Sequence, residues 1–73
     1  MKVYPNPTAE GLISIEIPEN TEGFTIFNAI GQIVFQQQVK GQNQLPIDVS
    51  TWAQGVYFIK TRDNTEEVKF VKN

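Results

Sequence analysis

Apolar and polar residues alternate in short runs along nearly the whole chain. The run LISIEI places Ile13, Ile15 and Ile17 on one side and Ser14 and Glu16 on the other. Comparable runs are FTIFN, IVFQQQV, LPIDV, VYFIKTR and VKFVK. A period of two residues is typical of a half-buried β-strand, and no segment has helical spacing. Turn-forming residues separate the runs at intervals of about eight to twelve residues, which favours a sandwich or a small barrel of about seven strands.

The segment FTIFNAIGQIVF predicts a hairpin. Its turn runs through the NAIGQ stretch, where Gly31 occupies a position that needs a positive φ. The strand after the turn is expected to keep its apolar residues on one face, interrupted by Gln37. Those residues are Ile33, Phe35 and Val39.

Two later runs have predictable places in a sheet. Pro46 confines LPIDVS to an edge or to an outward-facing register, because proline cannot donate to a strand ladder. The run VYFIKTR is β-branched and aromatic, so we expect a central strand covered on both faces near its start. One face would carry Val56, Phe58 and Lys60, and the other Tyr57, Ile59 and Thr61. Between these runs, STWAQG predicts a short turn or one turn of 3₁₀ helix.

The chain opens with KVYPNPT, in which two prolines flank one asparagine. Proline fixes its own φ and pushes the preceding residue toward extended geometry, so Tyr4 and Asn6 are both disfavoured in a helix. We expect an extended arm or an edge strand that turns at Pro7. Pro5 and Pro7 would give any recognising protein a pre-ordered shape.

The composition excludes several classes of function. The 73 residues include no cysteine and no histidine, which removes disulfides, the usual zinc ligands and the usual general base. The formal net charge is −2, so no basic stripe for nucleic acid is present. No apolar run reaches the length of a transmembrane segment, and no secretory signal peptide is recognisable at the start. We therefore expect one domain over residues 1–73, with no cofactor or metal and no nucleic-acid partner.

Acidic and hydroxyl side chains offer little for catalysis. Nearly all of the eight carboxylates lie in predicted turns or at outward strand positions, where a solvated surface is the ordinary interpretation. Ser14 and Ser50 have no histidine to activate them. Asp48 and Ser50 are expected to cap the turn that follows them.

Trp52 and the late basic residues each allow two interpretations. Trp52 either closes one end of the sandwich as an apolar plug or forms part of an exposed sugar-binding platform. The lysines and arginine of the last two strands either protect a sheet edge from strand pairing or form a docking patch. They are Lys60, Arg62, Lys69 and Lys72.

Four segments occur in an order that resembles a known family. They are YPNP, FTIFNAIGQIV, LPIDVSTWAQGVYFIK and VKFVK. Together they resemble the type A C-terminal sorting domain of proteins exported by the type IX secretion system (the Por secretion system) of Bacteroidota, over essentially the whole chain. The family pattern corresponds here to Tyr4, Pro5, Asn6 and Pro7, to Gly31 with Gln32, to Gly55, Val56 and Tyr57, and to Lys69 through Lys72. Trp52 replaces a more usual leucine, and Asn73 follows the expected terminal lysine.

The resemblance implies a sorting signal with no catalytic activity of its own. It would direct a covalently linked N-terminal cargo protein through the outer-membrane type IX translocon, and a sortase-like cysteine peptidase would then remove the signal. The cargo would pass through the periplasm to the cell surface or the medium, and residues 1–73 would be one part of a larger secreted precursor. The resemblance also implies that recognition uses GVYFIKTR and VKFVK.

We expect an all-β fold, a small immunoglobulin-like antiparallel β-sandwich of about seven strands. Two other function classes stay open at this point. An immunoglobulin-like binding or spacer module would contact carbohydrate or a neighbouring domain, and would present Trp52 in a flat exposed aromatic patch. A small enzyme would need a deep pocket with convergent acids.

Overall fold

A computed structural model describes all 73 residues and contains seven β-strands and no helix. The strands are β1 (Lys2–Tyr4), β2 (Leu12–Glu16), β3 (Gly23–Asn28), β4 (Ile33–Gln38), β5 (Gln44–Asp48), β6 (Gly55–Thr61) and β7 (Glu67–Lys72). Because there is no helix, none of the protein's segments could cross a membrane in helical form.

The strands form two antiparallel sheets that face each other. One sheet has the order β1-β2-β5, and the other has the order β4-β3-β6-β7. In immunoglobulin lettering these are strands A, B and E opposite C′, C, F and G. The predicted small immunoglobulin-like β-sandwich is therefore confirmed, and the barrel alternative is wrong.

The core lies between the two sheets, and the strands of both sheets point roughly every second side chain into it. The alternation predicted for LISIEI is confirmed, because Ile13 and Ile15 are buried while Glu16 is exposed. Twelve apolar residues make up the core: Val3, Ile13, Ile15, Ile17, Phe24, Ile26, Val39, Ile47, Val49, Tyr57, Ile59 and Phe70. Since no disulfide is present, burial of these side chains is the main source of stability.

Strand positions in the sheets follow two of the predictions. Strand β5, which contains Pro46, lies at the edge of its sheet, and β6 is central between β3 and β7. The two faces of β6 are also as predicted, with Tyr57 and Ile59 buried. The prediction that β6 is covered on both faces is wrong. Only one sheet packs against it, so Val56 and Phe58 remain half-buried.

The β3–β4 hairpin contains a β-bulge that reverses the orientation of one predicted core residue. Ile26 pairs with Phe35, but the next residue, Phe27, pairs with Ile33, so Val34 is the extra residue on β4. Phe35 points toward the core, whereas Ile33 lies on the outer face and is 57% exposed. The prediction that Ile33 shares a face with Phe35 is wrong, because the extra residue shifts the two-residue period by one.

The connection between β5 and β6 is a turn rather than a 3₁₀ helix. The amide of Trp52 donates to the carbonyl of Val49 at 3.0 Å, and the side chain of Asp48 accepts from the amide of Ser50 at 2.9 Å. Asp48 therefore caps this turn as expected.

The half-buried Trp52 ring packs on the core, with its centroid 5.2 Å from that of Tyr57. This placement supports the plug interpretation and does not provide the flat exposed platform that sugar binding would need.

Candidate recognition site

Three of the sequence motifs lie at the same end of the sandwich, where β3 and β7 finish and β6 begins. Asn28 at the end of β3 pairs with Tyr57, and Gly55 at the start of β6 pairs with Lys72. The hairpin loop containing Gly31 follows directly after β3. Motifs that are up to about forty residues apart in sequence are therefore neighbours in the sheet.

The YPNP motif connects the first strand to the last one. Strand β1 is an edge strand that ends at Tyr4, so the chain turns from Pro5 onward, two residues before the predicted position. The peptide bonds Tyr4–Pro5 and Asn6–Pro7 are both cis. Pro5, Asn6 and Pro7 are exposed. The Tyr4 hydroxyl lies over the three-stranded sheet, where it accepts a hydrogen bond from Gln44.

Asn6 binds the backbone of β7 with both ends of its carboxamide. Its Nδ2 donates to the carbonyl of Lys69 at 3.0 Å, and its Oδ1 accepts from the amide of Val71 at 3.0 Å. One carbonyl and one amide on alternate residues are the groups that a neighbouring strand would otherwise satisfy. The Asn6 side chain therefore takes the place of a strand neighbour along this part of the β7 edge.

Thr8 continues the same contact with its backbone. Its amide donates to the carbonyl of Val71, and its carbonyl accepts from the amide of Asn73, both at 2.9 Å. The residue forms a parallel bridge with Lys72 and is fully buried. Sequence reasoning missed Thr8, because a single threonine after a proline carries no pattern that points to a strand more than sixty residues away.

The GVY motif builds a tyrosine corner. The hydroxyl of Tyr57 donates to the carbonyl of Ala53 at 2.6 Å, and its ring stacks on Phe70 with centroids 5.3 Å apart. A tyrosine near the start of strand F that bonds back to the preceding turn is a known feature of immunoglobulin-like sandwiches.

The other two residues of the GVY motif have different roles. Gly55 has a φ of +149°, a conformation that favours glycine. Val56 lies on the outer face and is half-buried.

Gly31 closes the β3–β4 hairpin as predicted. Its φ is +86°, and its amide donates to the carbonyl of Asn28 at 3.0 Å. The Asn28 side chain accepts from the amides of Ile30 and Gln32, at 3.2 and 2.9 Å. The loop is exposed, and a side chain added at Gly31 would meet no other atom within 4 Å. Its glycine is therefore required by backbone conformation rather than by lack of space.

The two basic residues of the terminal motif have different surroundings. Lys72 is half-buried, and its Nζ donates to the carbonyl of Trp52 at 2.7 Å and to that of Ser50 at 3.3 Å. It therefore holds the β5–β6 turn against the end of β7. Lys69 is exposed on the outer face and makes no side-chain hydrogen bond, which leaves its ammonium group accessible.

The outer face of the four-stranded sheet carries an apolar row with charged residues beside it, among them Glu67 directly opposite Lys60. Phe27 and Phe58 are directly opposite each other on β3 and β6, and Ile33 and Lys69 extend the same row on β4 and β7. Val56 pairs with Val71 in a shorter row beside it. Phe27, Phe58 and Lys60 help to line a shallow depression of about 320 Å³. We call the surface formed by Val56, Phe58, Lys60, Lys69 and Val71 the β6–β7 outer face.

Two acidic residues, Asp48 and Asp63, have structural roles in turns. Hydrogen bonds from Thr65 and Thr61 lower the pKa of the Asp63 carboxyl, and hydrogen bonds from Ser50 lower that of Asp48. Both carboxylates therefore stabilise turns in their charged form. No group of three or more acidic residues is placed to bind a metal ion.

A comparison with family models decides what kind of domain this is. The model described as a secretion system C-terminal sorting domain matches residues 2–73. The chain belongs to this family. No curated protein and no solved structure gives a significant match. The resemblance identified from the four motifs is therefore confirmed, and the protein is a secretion sorting domain with an all-β fold.

Most motif residues of this sorting domain separate into two groups. Those that support the fold are Asn6, Gly31, Gly55, Tyr57 and Lys72, each through a contact or a backbone conformation described above. Val56 and Lys69 instead present their side chains to the outside, as does Phe58, which the motif comparison did not single out. An apolar residue at an outward strand position was the available signal for Phe58. Contact of any motif residue with a partner stays a prediction.

Proposed function

We propose that the sorting domain directs a covalently linked N-terminal cargo through the type IX secretion system across the outer membrane. The domain has no catalytic role and needs no cofactor. Residues 1–73 form one folded signal behind the cargo, which passes through the periplasm and ends at the cell surface or in the medium. A sortase-like cysteine peptidase associated with the translocon removes the signal.

The β6–β7 outer face is the observation that carries this proposal. Most sandwich surfaces of this size alternate core residues with polar ones, but here two valines and a phenylalanine, all half-buried, face outward. The charged residues beside them are Lys69 and the facing pair Lys60 and Glu67. Exposed apolar patches with a polar rim are typical of protein interaction sites. The family match supplies the class of partner, which is a secretion machinery. We infer that the translocon contacts Val56, Phe58 and Lys69.

The test is an export assay in a matched pair of hosts. Residues 1–73 are fused behind a periplasm-targeted fluorescent protein and expressed in a bacterium with an intact type IX system and in its isogenic strain lacking the outer-membrane channel. We expect fluorescence at the surface or in the medium of the first host and in the periplasm of the second. The same fluorescent protein without residues 1–73 should stay in the periplasm of both.

The size of the exported product tests the removal step. In the intact host the exported fluorescent protein should have lost the mass of the sorting domain, and inactivation of the peptidase should leave the domain attached. Retention of the full fusion in the periplasm of the intact host would contradict the proposed route. Export without loss of mass would contradict the removal step alone.

A further inference from the structure

A depression of about 360 Å³ lies on the outer face of the four-stranded sheet, next to the β6–β7 outer face. Strand β4 bounds it on one side and the end of β6 on the other, with β3 as its floor. Eight of its ten lining residues are polar, and none of them is acidic. Because the protein as a whole has eight carboxylates and a net charge of −2, a lining with cations and no acid is a local feature.

Polar side chains cross this depression in two parallel rows. The first row is Gln36, Thr25 and Lys60, on paired positions of β4, β3 and β6. The second row has Gln38 on β4 and Arg62 just beyond β6, on either side of Gly23. Outward residues two positions apart on a strand are separated by about 7 Å, which is the distance between the rows. Each row therefore has a carboxamide at one end and a cation at the other.

Gly23 gives the Arg62 guanidinium its place in the second row. A Cβ added at Gly23 would lie 3.2 Å from Nη2 of Arg62 and 2.7 Å from the carbonyl oxygen of Gln37. The guanidinium therefore lies over the glycine, and the Arg62 amide donates to the Gly23 carbonyl at 2.9 Å. A side chain at this position would displace the guanidinium, so the absence of one keeps the cation within the depression.

Neither cation of the depression has an acidic partner. The single ion pair of the protein is at its amino terminus. Glu67 is opposite Lys60 on β7 but does not form an ion pair with it. Glu22 and Asp63 line a separate depression that also borders Arg62, and neither is within ion-pair distance of the guanidinium. Both cations are therefore available to an anionic group from outside.

We propose that this depression binds an extended acidic segment of a partner protein, with one carboxylate on each row. Charge complementarity selects an anionic occupant, because Lys60 and Arg62 are unpaired and no acid lines the depression. The spacing selects an extended chain, since carboxylates on alternate residues of such a chain are also about 7 Å apart. The carboxamides of Gln36 and Gln38 each offer donors and an acceptor, which suits the peptide groups between the two carboxylates.

Binding at this depression alone is weak. Arg62 is exposed and Lys60 is half-buried, so solvent screens both contacts to carboxylates. We expect dissociation constants in the millimolar range for a short peptide. This inference does not depend on the proposed secretion route.

Titration of the isotope-labelled protein with short peptides, followed by NMR, tests the proposal. Two serine peptides each contain two glutamates, which are separated by one serine in the first peptide and adjacent in the second. The first should produce saturating shifts at the residues of the two rows, with a dissociation constant about threefold lower than that of the second. Inorganic phosphate, the third probe, should bind more weakly than the first peptide. Equal binding of the two peptides, or phosphate binding as tight as that of the first, would indicate an adventitious anion site only and overturn the proposal.

A pair of variants with the same change in net charge separates this site from general electrostatic attraction. Arg62→Gln removes one cation of the depression at an exposed position, and thermal unfolding checks that the variant folds. We expect it to weaken binding of the first peptide by about three- to fivefold and to remove the preference for that peptide over the second. Lys2→Gln, at an exposed position of the opposite sheet, is the matched control and should leave binding unchanged. An equal effect of the two substitutions would overturn the proposal.

Discussion

Single side chains complete hydrogen-bond networks that the backbone of this small sandwich leaves open. The Asn6 carboxamide replaces a neighbouring strand at β7, the Tyr57 hydroxyl holds the β5–β6 turn, and Lys72 binds two carbonyls of that turn. Each residue joins segments that the sheets alone do not connect. Many of the sequence motif residues that resembled a recognition signal are therefore needed for the fold.

Replacement of Asn6 by alanine should destabilise the protein by about 1–2 kcal/mol, because two hydrogen bonds to β7 are lost. Chemical denaturation measures the change in free energy of unfolding, and hydrogen exchange should show faster exchange at the Val71 amide. Asn43→Ala is the matched control, since the Asn43 side chain is exposed and makes no hydrogen bond. Equal stability of the two variants would show that the Asn6 contact contributes nothing.

Asp63 makes the stability of the 61–66 turn depend on pH. Its Oδ1 accepts from the Thr65 hydroxyl at 2.7 Å and the Thr61 hydroxyl at 2.9 Å, and these bonds hold its pKa below the usual value of 3.8. Because the folded pKa is lower than the unfolded one, the stabilisation is complete above the usual value and is lost as the pH falls through the lowered value. We expect Asp63→Asn to flatten this acid dependence in urea titrations at several pH values. An unchanged acid dependence would exclude Asp63 as its source.

Among the elements, β7 is indispensable to the fold. Phe70 is fully buried and stacks on Tyr57, and every residue of β7 pairs with β6. Phe70→Ala should cost about 3–5 kcal/mol, which is comparable to the total stability of many small domains. Circular dichroism and thermal unfolding should find this variant largely unfolded, while Lys69→Ala on the same strand should remain within about 0.5 kcal/mol of the natural sequence. A stably folded Phe70→Ala variant would contradict this assignment of the core.

This dependence affects how export experiments are designed. Deleting the last strand would remove Phe70 together with any recognition residue, so a loss of export would not separate unfolding from lost recognition. Substitutions of exposed β6 and β7 side chains avoid the problem because they leave the core and the strand pairing in place.

Periodicity in the sequence predicted the elements well, and its failures have local causes. The alternation of core and surface residues in β2, β5, β6 and β7 could be predicted because each of these strands is regular over its length. The bulge at Val34 could not be predicted, because IVFQ contains no glycine or proline to indicate an extra residue. The pairing of Asn6 with β7 was equally inaccessible, since it joins residues more than sixty positions apart in sequence.

As a whole, the molecule is a closed sandwich that displays side chains on its outer faces. Both sheets contribute to one core, the end of the sandwich is closed by Trp52, and the β7 edge is covered by Asn6 and Thr8. The outer faces of both sheets remain accessible, and the four-stranded sheet is the one that carries the apolar row. A sorting signal of this kind presents a fixed arrangement of side chains and loses little conformational freedom when it is bound.

The central claim is that the secretion machinery recognises the β6–β7 outer face of the folded domain. The most direct test compares two folded variants in the export assay, Phe58→Thr on this face and Leu12→Thr on the outer face of the opposite sheet, where Leu12 is 56% exposed. Thermal unfolding confirms beforehand that both fold. We predict that Phe58→Thr lowers the exported fraction by about tenfold, the effect of losing about 1.4 kcal/mol of binding, while Leu12→Thr exports normally. Equal export of both variants at the level of the natural sequence would contradict the claim.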